Sequence, residues 1–378
     1  MRDSKDLTLF EKLSEFAGTD MYPFHMPGHK RRFEGFDPYA VDITEIDGFD
    51  DMHHPEGLIN RLNEDLTEYF GGDRVRILVN GSTSGVLTAI SASAEPGEKL
   101  LLCSNCHKSA MDAVKIRGIK PVLIDPEKIE ASGLWGGIRP EKVREALERE
   151  ADIKAVFITS PTYEGFLSDV KAVADICHER GIPLIVDSAH GAHAGLYKGF
   201  IPSYHFENAS LMGADIVIKS LHKNLPAFTQ TAILTVNGSI TDREKLGYYY
   251  SAYQSTSPSY ILMAGADRML SFLKDEGEER FRLLEKELLA IRQEVESLED
   301  ISFTGPGLIG SFGIYGFDPT KLLLGHRKKD AVYLYDRLRK DHHLQPEKVS
   351  GNTVLLMTSI MDDEQGFMRL KKAIREMA

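Results

Sequence analysis

Seven short apolar runs, separated by stretches of helical spacing, restrict what the middle of this chain can fold into. The runs are Arg76–Val79, Leu100–Cys103, Val122–Ile124, Ala155–Ile158, Leu184–Val186, Ile216–Ile218 and Ala232–Val236. Amphipathic segments such as Pro140–Glu150 and Val170–Arg180 lie between them. Strand–helix–strand succession calls for parallel strands joined by helical crossovers, with helices covering both sheet faces. The expected fold class is α/β, with a large, mostly parallel seven-stranded sheet domain flanked by helices.

The flanking sequence differs. Residues 1–70 are rich in His, Pro, Gly and Asp and read as an irregular arm ahead of a large domain at residues 71–260. From Tyr260 to Asp300 the pattern is helical and charged, with Lys274–Arg280 a solvated run; residues 261–300 read as a long linking helix. Past Gly305-Pro306-Gly307 the pattern gives a strand at Ile309–Phe317, a helix at Asp330–Lys340, a strand at Thr353–Thr358 and a helix at Asp363–Met377. Residues 301–378 are therefore expected to form a small C-terminal α+β domain.

Composition excludes several classes. With 42% hydrophobic and 27% charged residues, the 378-residue chain can bury a large core, which rules out disordered and fibrous proteins. No apolar run approaches the ~18 residues of a membrane span. The N-terminal MRDSKDLTLFEKL lacks the basic-then-apolar order of a secretory signal. Three cysteines cannot build a disulfide framework, so a cytoplasmic location is expected. A net charge of -12 argues against a general nucleic-acid binder.

Three segments carry chemistry. In Asp215-Ile-Val-Ile-Lys-Ser-Leu-His-Lys-Asn-Leu-Pro-Ala-Phe-Thr-Gln230, an apolar strand runs into Ser220, His222 and Lys223. A lysine at a strand end inside a core domain is costly unless it is paired or covalently used, as in a Schiff base with a carbonyl cofactor. Alone, the segment is better read as a surface lysine just past a strand. In Ile185-Val-Asp-Ser-Ala-His-Gly-Ala-His193, a strand delivers Asp187 to its C-terminal end, where parallel sheets open their ligand crevice. An acid there can hold a protonated pyridine nitrogen; it can equally cap a helix, and Asp187, His190 and His193 leave metal and cofactor readings open. In Val79-Asn-Gly-Ser-Thr-Ser-Gly-Val-Leu-Thr-Ala-Ile90, a strand passes through a hydroxyl-rich turn straight into a helix, a phosphate cradle built on Ser82 and Thr83. It has neither the Gly-Lys-Ser/Thr of a P-loop nor a dinucleotide fingerprint, and Ser and Thr also merely cap helices. Cys103-Ser-Asn-Cys-His107 matches a c-type haem attachment pattern literally, but without an export signal or a second Cys pair the match is coincidental, and His107 is the residue that matters.

Taken together, these segments resemble the Orn/Lys/Arg decarboxylase family, whose members use pyridoxal 5'-phosphate on the aspartate-aminotransferase-like fold (fold type I). The resemblance runs through Phe24-His-Met-Pro-Gly-His-Lys30, Asp42-Ile-Thr-Glu-Ile-Asp-Gly-Phe-Asp-Asp51, Asn80–Gly85, Asn105-Cys-His-Lys108, Asp187–His193, Gly213–Gln230 and Gln254-Ser-Thr-Ser-Pro-Ser-Tyr260, in the family's order. It covers nearly the whole chain, weakening after about Asp267. It implies that Lys223 bonds the cofactor, that Asp187 partners the pyridine nitrogen and that His107 stacks on the ring. It implies also that Ser82, Thr83 and Ser220 hold the phosphate with His222 close by, and that Ala189 and His190 border the ring or its phenolic oxygen. Ser255 and Thr256 resemble a segment that reaches the phosphate across the interface of a homodimer, and the arm around His25–His29 crosses with it.

The implied activity is decarboxylation of a basic amino acid (lysine, ornithine or arginine), releasing CO2 and a polyamine-type amine. The rivals are another fold-type-I reaction, an aminotransferase or lyase, and a cofactor-binding protein without catalysis. The acids Glu45, Asp47, Asp50 and Asp51 are candidates to face a substrate cation, and no metal is expected. Two departures stand out: Leu221 replaces a Thr common in the family motif, and the chain reads as a short form without the extra domains of larger members.

Overall fold

A computed structural model describes residues 9–33 and 37–378; residues 1–8, part of the stretch read for an export signal, lie outside the described residues. The seven apolar runs all lie in one sheet, as the strands Arg74–Leu78, Lys99–Cys103, Lys120–Ile124, Ile153–Thr159, Leu184–Asp187, Ile216–Ser220 and Ala232–Val236. Ala232–Val236 runs antiparallel to both its neighbours, Ile216–Ser220 and Arg74–Leu78, and the remaining pairings are parallel. Parallel strands covered on both faces need continuous apolar runs; Leu184–Asp187 and Ile216–Ser220 are buried at every position.

From Lys99–Cys103 the chain crosses to Lys120–Ile124 on one side and returns to Ile153–Thr159 on the other. That reversal leaves a crevice outside the C-terminal strand ends. His107, Asp187 and the Ser220–Lys223 turn all emerge at such ends.

The helix Tyr260–Glu296, 37 residues long and capped by Ser259 Oγ accepting from the Leu262 N–H at 3.4 Å, leads to a second sheet. Its four antiparallel strands lie in the order Ile301–Thr304, Lys321–His326, Thr353–Met357, Lys348–Ser350. Helices Ala331–Lys340 and Glu364–Met377 start at the caps Asp330 and Asp363, within the ranges the spacing predicts.

Two expectations fail. Ile309–Phe317 is not a strand: only Gly316–Phe317 is extended, and it pairs with Phe166–Leu167 rather than with the small sheet. Phe312 and Gly313 take left-handed φ values of 52° and 68°, and a Cβ on Gly313 would lie 2.5 Å from the Gly137 carbonyl oxygen. The apolar content of this segment fills a loop. The strand that hydropathy hides is Lys321–His326, which begins on a lysine and ends in Gly-His. The second failure is the irregular arm: Leu58–Phe70 is a helix that buries Ile59, Leu62, Leu66 and Phe70 at helical spacing. Asp50 nucleates it, its carboxylate accepting the N–H groups of Glu56, Gly57, Ile59 and Asn60 at 2.8–3.3 Å.

The rest of the arm ties the two sheets together. Tyr22–Phe24 pairs in parallel with Leu344–Pro346. The Gly28 N–H donates to the His222 carbonyl at 2.8 Å, and a Cβ there would sit 2.7 Å from the Asn224 carbonyl carbon, so only glycine passes this close to the Lys223 turn. Lys30, 2% exposed, donates to the carbonyls of Pro23, His25 and Met357 at 3.0, 3.0 and 2.7 Å. Among the described residues no helix is long and apolar enough to cross a membrane.

Candidate active site

The strand Ile216–Ser220 ends in a single helical turn, Leu221–Asn224, which carries Lys223 two residues beyond the position where Leu221 N–H meets the Thr231 carbonyl at 3.0 Å. The Lys223 amine is thereby held at the floor of the crevice, its Nζ 3.0 Å from His190 Nε2. Burial lowers its proton affinity, opposed by the carboxylates of Asp187 and Glu347. His222 turns away, its Nδ1 3.0 Å from the Thr231 carbonyl, and burial keeps its pKa below the ordinary imidazole value.

Asp187 closes the neighbouring strand, in register with Ile218, and is 4% exposed. Burial raises its pKa, against the opposing pull of Lys223, the Ala189 N–H and His107. That N–H reaches Asp187 Oδ1 at 3.1 Å, so the acid orders its own turn and places Ala189 beside the crevice, and caps no regular helix. His107 begins the helix Lys108–Arg117, its Nδ1 accepting from the Ser109 N–H at 3.3 Å with Ser109 Oγ at 2.8 Å; its ring is exposed at the crevice and close enough to act on Asp187.

Ser82 and Thr83 occupy the first turn of the helix Gly81–Ser93, which Asn80 leaves without a side-chain cap and which packs on Ile216–Ser220. Gln254 fixes that turn: its Oε1 accepts from the Val79 and Asn80 N–H groups at 3.1 and 3.3 Å, and its Nε2 donates to Ser84 Oγ at 2.7 Å. Ser220 Oγ is buried with no hydrogen-bond partner among the described residues.

The histidines diverge. His190 is 5% exposed, with Lys223 on Nε2 and Lys321 Nζ 3.3 Å from Nδ1. Burial, with Lys223 and Lys321 beside it, holds it well below the usual imidazole range. His193 instead lies 3.1 Å from both Asp318 and Thr320. Asp187, His190 and His193 therefore do not converge on one point. Among the described residues no group of three or more His, Cys, Asp or Glu is placed to hold a metal ion. Burial pushes the Cys103 and Cys106 thiols up to about 12 and about 11, so neither is a reactive thiolate.

Sequence reasoning missed the far wall. Tyr163 stacks at a tilt 4.3 Å from the His190 ring and donates its hydroxyl to Glu347 at 2.5 Å; Glu347 also accepts from the Met26 N–H at 2.9 Å. Glu347 is an acid that acts on Lys223, whereas Asp50 caps a helix, Asp51 accepts from the His53 N–H at 2.8 Å, and Glu45 and Asp47 are exposed. The one signal for Lys321 was a charged residue opening an apolar run. Ser255 and Thr256 are exposed; Ser255 Oγ donates to the Ser257 carbonyl at 3.1 Å, and the Ser255 carbonyl meets His53 Nε2 at 2.8 Å. Among the described residues of one chain nothing brings these two hydroxyls to Lys223.

The donor set fits a phosphorylated pyridine aldehyde. The buried, unpaired Ser220 hydroxyl and the uncapped helix start suit a phosphate; Asp187 suits a protonated ring nitrogen, and Lys223 an aldehyde carbon.

Known proteins give the same picture. Residues 8–339 match the Orn/Lys/Arg decarboxylase major domain. The chain is 30% identical over 390 residues to an arginine decarboxylase of Halalkalibacterium halodurans, covering 100% of this chain and 78% of that one. It is 34% identical over 361 residues to the uncharacterized protein YaaO of Bacillus subtilis, covering 92% and 73%. Among solved structures, the Francisella novicida lysine decarboxylase LdcF superposes with a TM-score of 0.70 at 21% identity, over 87% of this chain; this chain spans about half (51%) of that one. The match over most of its length, on a fold with this crevice, means that the chain belongs to the Orn/Lys/Arg decarboxylase family of pyridoxal-phosphate-dependent amino-acid decarboxylases.

Proposed function

We propose that this protein decarboxylates a basic amino acid (lysine, ornithine or arginine) to CO2 and the corresponding amine. The observation that carries it is the partly desolvated Lys223 amine, 3.0 Å from His190 Nε2, in a crevice shared with the buried Asp187 carboxylate. Pyridoxal phosphate, when bound, supplies an electron-withdrawing ring for the electron pair that departing CO2 leaves behind.

The chain's own residues hold and tune that chemistry. Lys223 is the covalent attachment point. Asp187 holds a proton on the ring nitrogen, its negative charge sustained by Lys223, the Ala189 N–H and His107. His107, Ala189 and His190 would border the bound ring. Ser82, Thr83 and Ser220 would hold the phosphate, in a turn that Gln254 fixes, with His222 close by. Glu347 gives the crevice an acid suited to a cationic side chain, in keeping with relatives named arginine and lysine decarboxylases.

A homodimer completes the site, with Ser255 and Thr256 reaching the partner's phosphate from a loop that His53 holds through Ser251 Oγ at 2.9 Å and the Ser255 carbonyl; the stretch His25–His29, expected to cross with it, packs on its own chain, where the Gly28 N–H meets the His222 carbonyl at 2.8 Å. Mixing inactive Lys223→Ala with an inactive Ser255→Ala/Thr256→Ala double variant should restore partial activity; no recovery in a proven heterodimer refutes the shared site. The substrate is tested by CO2 release and amine formation from lysine, ornithine, arginine and a neutral control. A keto acid in place of CO2, or no product from any of them, refutes the proposed activity.

A further inference from the structure

Lys321 opens the small-domain strand Lys321–His326, yet its side chain is fully buried against the crevice and takes no part in the chemistry described above. Among the described residues its Nζ has one hydrogen-bond partner, His190 Nδ1 at 3.3 Å; the other nitrogen of that ring is 3.0 Å from Lys223 Nζ. The line is continuous: amine, imidazole, amine.

Its proton inventory is constrained. An ammonium has donors and no acceptor, while a neutral imidazole has one donor and one acceptor. Both contacts are hydrogen bonds only if one lysine is a neutral amine that accepts the ring N–H. Two arrangements that keep the ring neutral and one lysine charged meet that condition. In one, Lys223 is the ammonium donating to Nε2, and Nδ1–H donates to neutral Lys321. In the other, Lys321 is the ammonium donating to Nδ1, and Nε2–H donates to neutral Lys223. They differ by one proton moved along the line. A buried ammonium with a single partner leaves N–H groups unpaired, which disfavours charge at Lys321. Burial accordingly brings its pKa down to about 8, opposed by Asp318 and reinforced by Lys223.

We propose that His190 and Lys321 form a relay that accepts the proton Lys223 must shed before its amine can act as a nucleophile, and that returns it afterwards. The Lys223 N–H bond breaks as Nε2–H forms, and the Nδ1–H bond breaks as a new N–H forms on Lys321. One positive charge moves from Lys223 to Lys321, and nothing is oxidised or reduced. Asp187 and Glu347 face Lys223 and hold the proton at that end. Asp318, Glu347 and Glu164 face Lys321 and stabilise the ammonium there. Lys348 and His222, with the two lysines, face His190 and keep the ring from retaining the charge. Lys321 is a positioning residue acting through His190, and its role rests on Lys223 being the reactive lysine.

The test is the rate at which cofactor-free protein captures pyridoxal phosphate covalently, followed from pH 6 to 9, trapped with borohydride and mapped to a peptide. Lys321→Met should slow capture about 10-fold at pH 7 and move the pH midpoint up by about one unit. In a His190→Phe background the same substitution should add no further shift, because the connection is already cut. An equal Lys321→Met shift with and without the ring would mean a through-space charge effect and overturn the relay, as would no shift in either background. If Lys321→Met does not fold, Lys321→Gln takes its place in the same cycle. A label on a lysine other than Lys223 refutes the attachment site itself, whatever the midpoints show.

Discussion

Lys219 and Lys223 leave the same strand end four residues apart and meet opposite environments. Lys219 is fully buried on the far side of the sheet, where its Nζ donates to Asn208 Oδ1 at 2.7 Å, Ser210 Oγ at 3.1 Å and the Phe70 carbonyl at 3.5 Å. Asn208 in turn donates to the Phe70 carbonyl at 2.7 Å, so the amine joins the end of the helix Leu58–Phe70 to the turn Ala209–Leu211. Lys223 is half-buried, and its partner is a titratable ring nitrogen. The two amines therefore suit opposite uses. Oxygen acceptors that never protonate at working pH suit a strut; a titratable nitrogen partner suits the reagent proposed for Lys223.

The comparison breaks most visibly at Lys223. Lys223→Ala should lower CO2 release by a factor of roughly 10³ or more, since the proposed covalent attachment point is lost, while the melting temperature moves by only a few degrees. Lys219→Ala should do the reverse, with turnover retained within about tenfold and stability reduced by roughly 3 kcal/mol through unpaired buried groups. Denaturant unfolding and turnover measured on both variants decide it. Turnover lost in Lys219→Ala at unchanged stability would erase the distinction.

Asp187→Asn ranks next. A neutral amide cannot stabilise the ring-nitrogen proton, so turnover should fall about 10²–10³-fold with the cofactor still bound. Near-normal turnover would make Asp187 an organiser of its own turn alone.

A pH experiment sharpens the other half. Burial lowers Lys219 from 10.5 to about 7. Below that, folded and unfolded chains both carry the proton and the buried charge opposes folding in full. Between about 7 and 10.5 the folded chain has released a proton that the unfolded chain retains, so this residue's contribution to stability rises with pH and then levels off. The rise in urea midpoint from pH 6.5 to pH 9.5 should be smaller in Lys219→Met than in wild type. An unchanged slope would show that Lys219 keeps its charge in the fold.

The smallest effect is expected at Gln254. Gln254→Ala frees the hydroxyl turn without removing a phosphate ligand, and cofactor affinity should weaken about tenfold by equilibrium dialysis. An unchanged affinity would make the turn self-supporting.

The large sheet was legible because its signal is local. Each of its seven strands contains a short apolar run, and Lys223, Asp187 and His107 lie at or just past strand ends, where any parallel sheet opens its crevice. The wall above them was not legible. Tyr163 and Glu347 are 184 positions apart, and His190 and Lys321 are 131 apart. Ile309–Phe317 misled because its apolar side chains fill a loop, and Lys321–His326 was concealed by the lysine that serves the crevice.

The sequence by itself determined the α/β class, the strand ends and the family motifs, since apolar periodicity and short-range turn chemistry operate over a few residues. Only the tertiary structure decided which lysine meets oxygen acceptors and which a ring nitrogen, that Asp50 caps a helix, and that a small-domain amine shares an imidazole with Lys223. Those outcomes depend on which side of a strand faces which neighbour and on how completely water is excluded there. A buried amine's chemistry is set by the atom it meets across the fold, and the imidazole between the two amines lies 33 positions from Lys223 and 131 from Lys321.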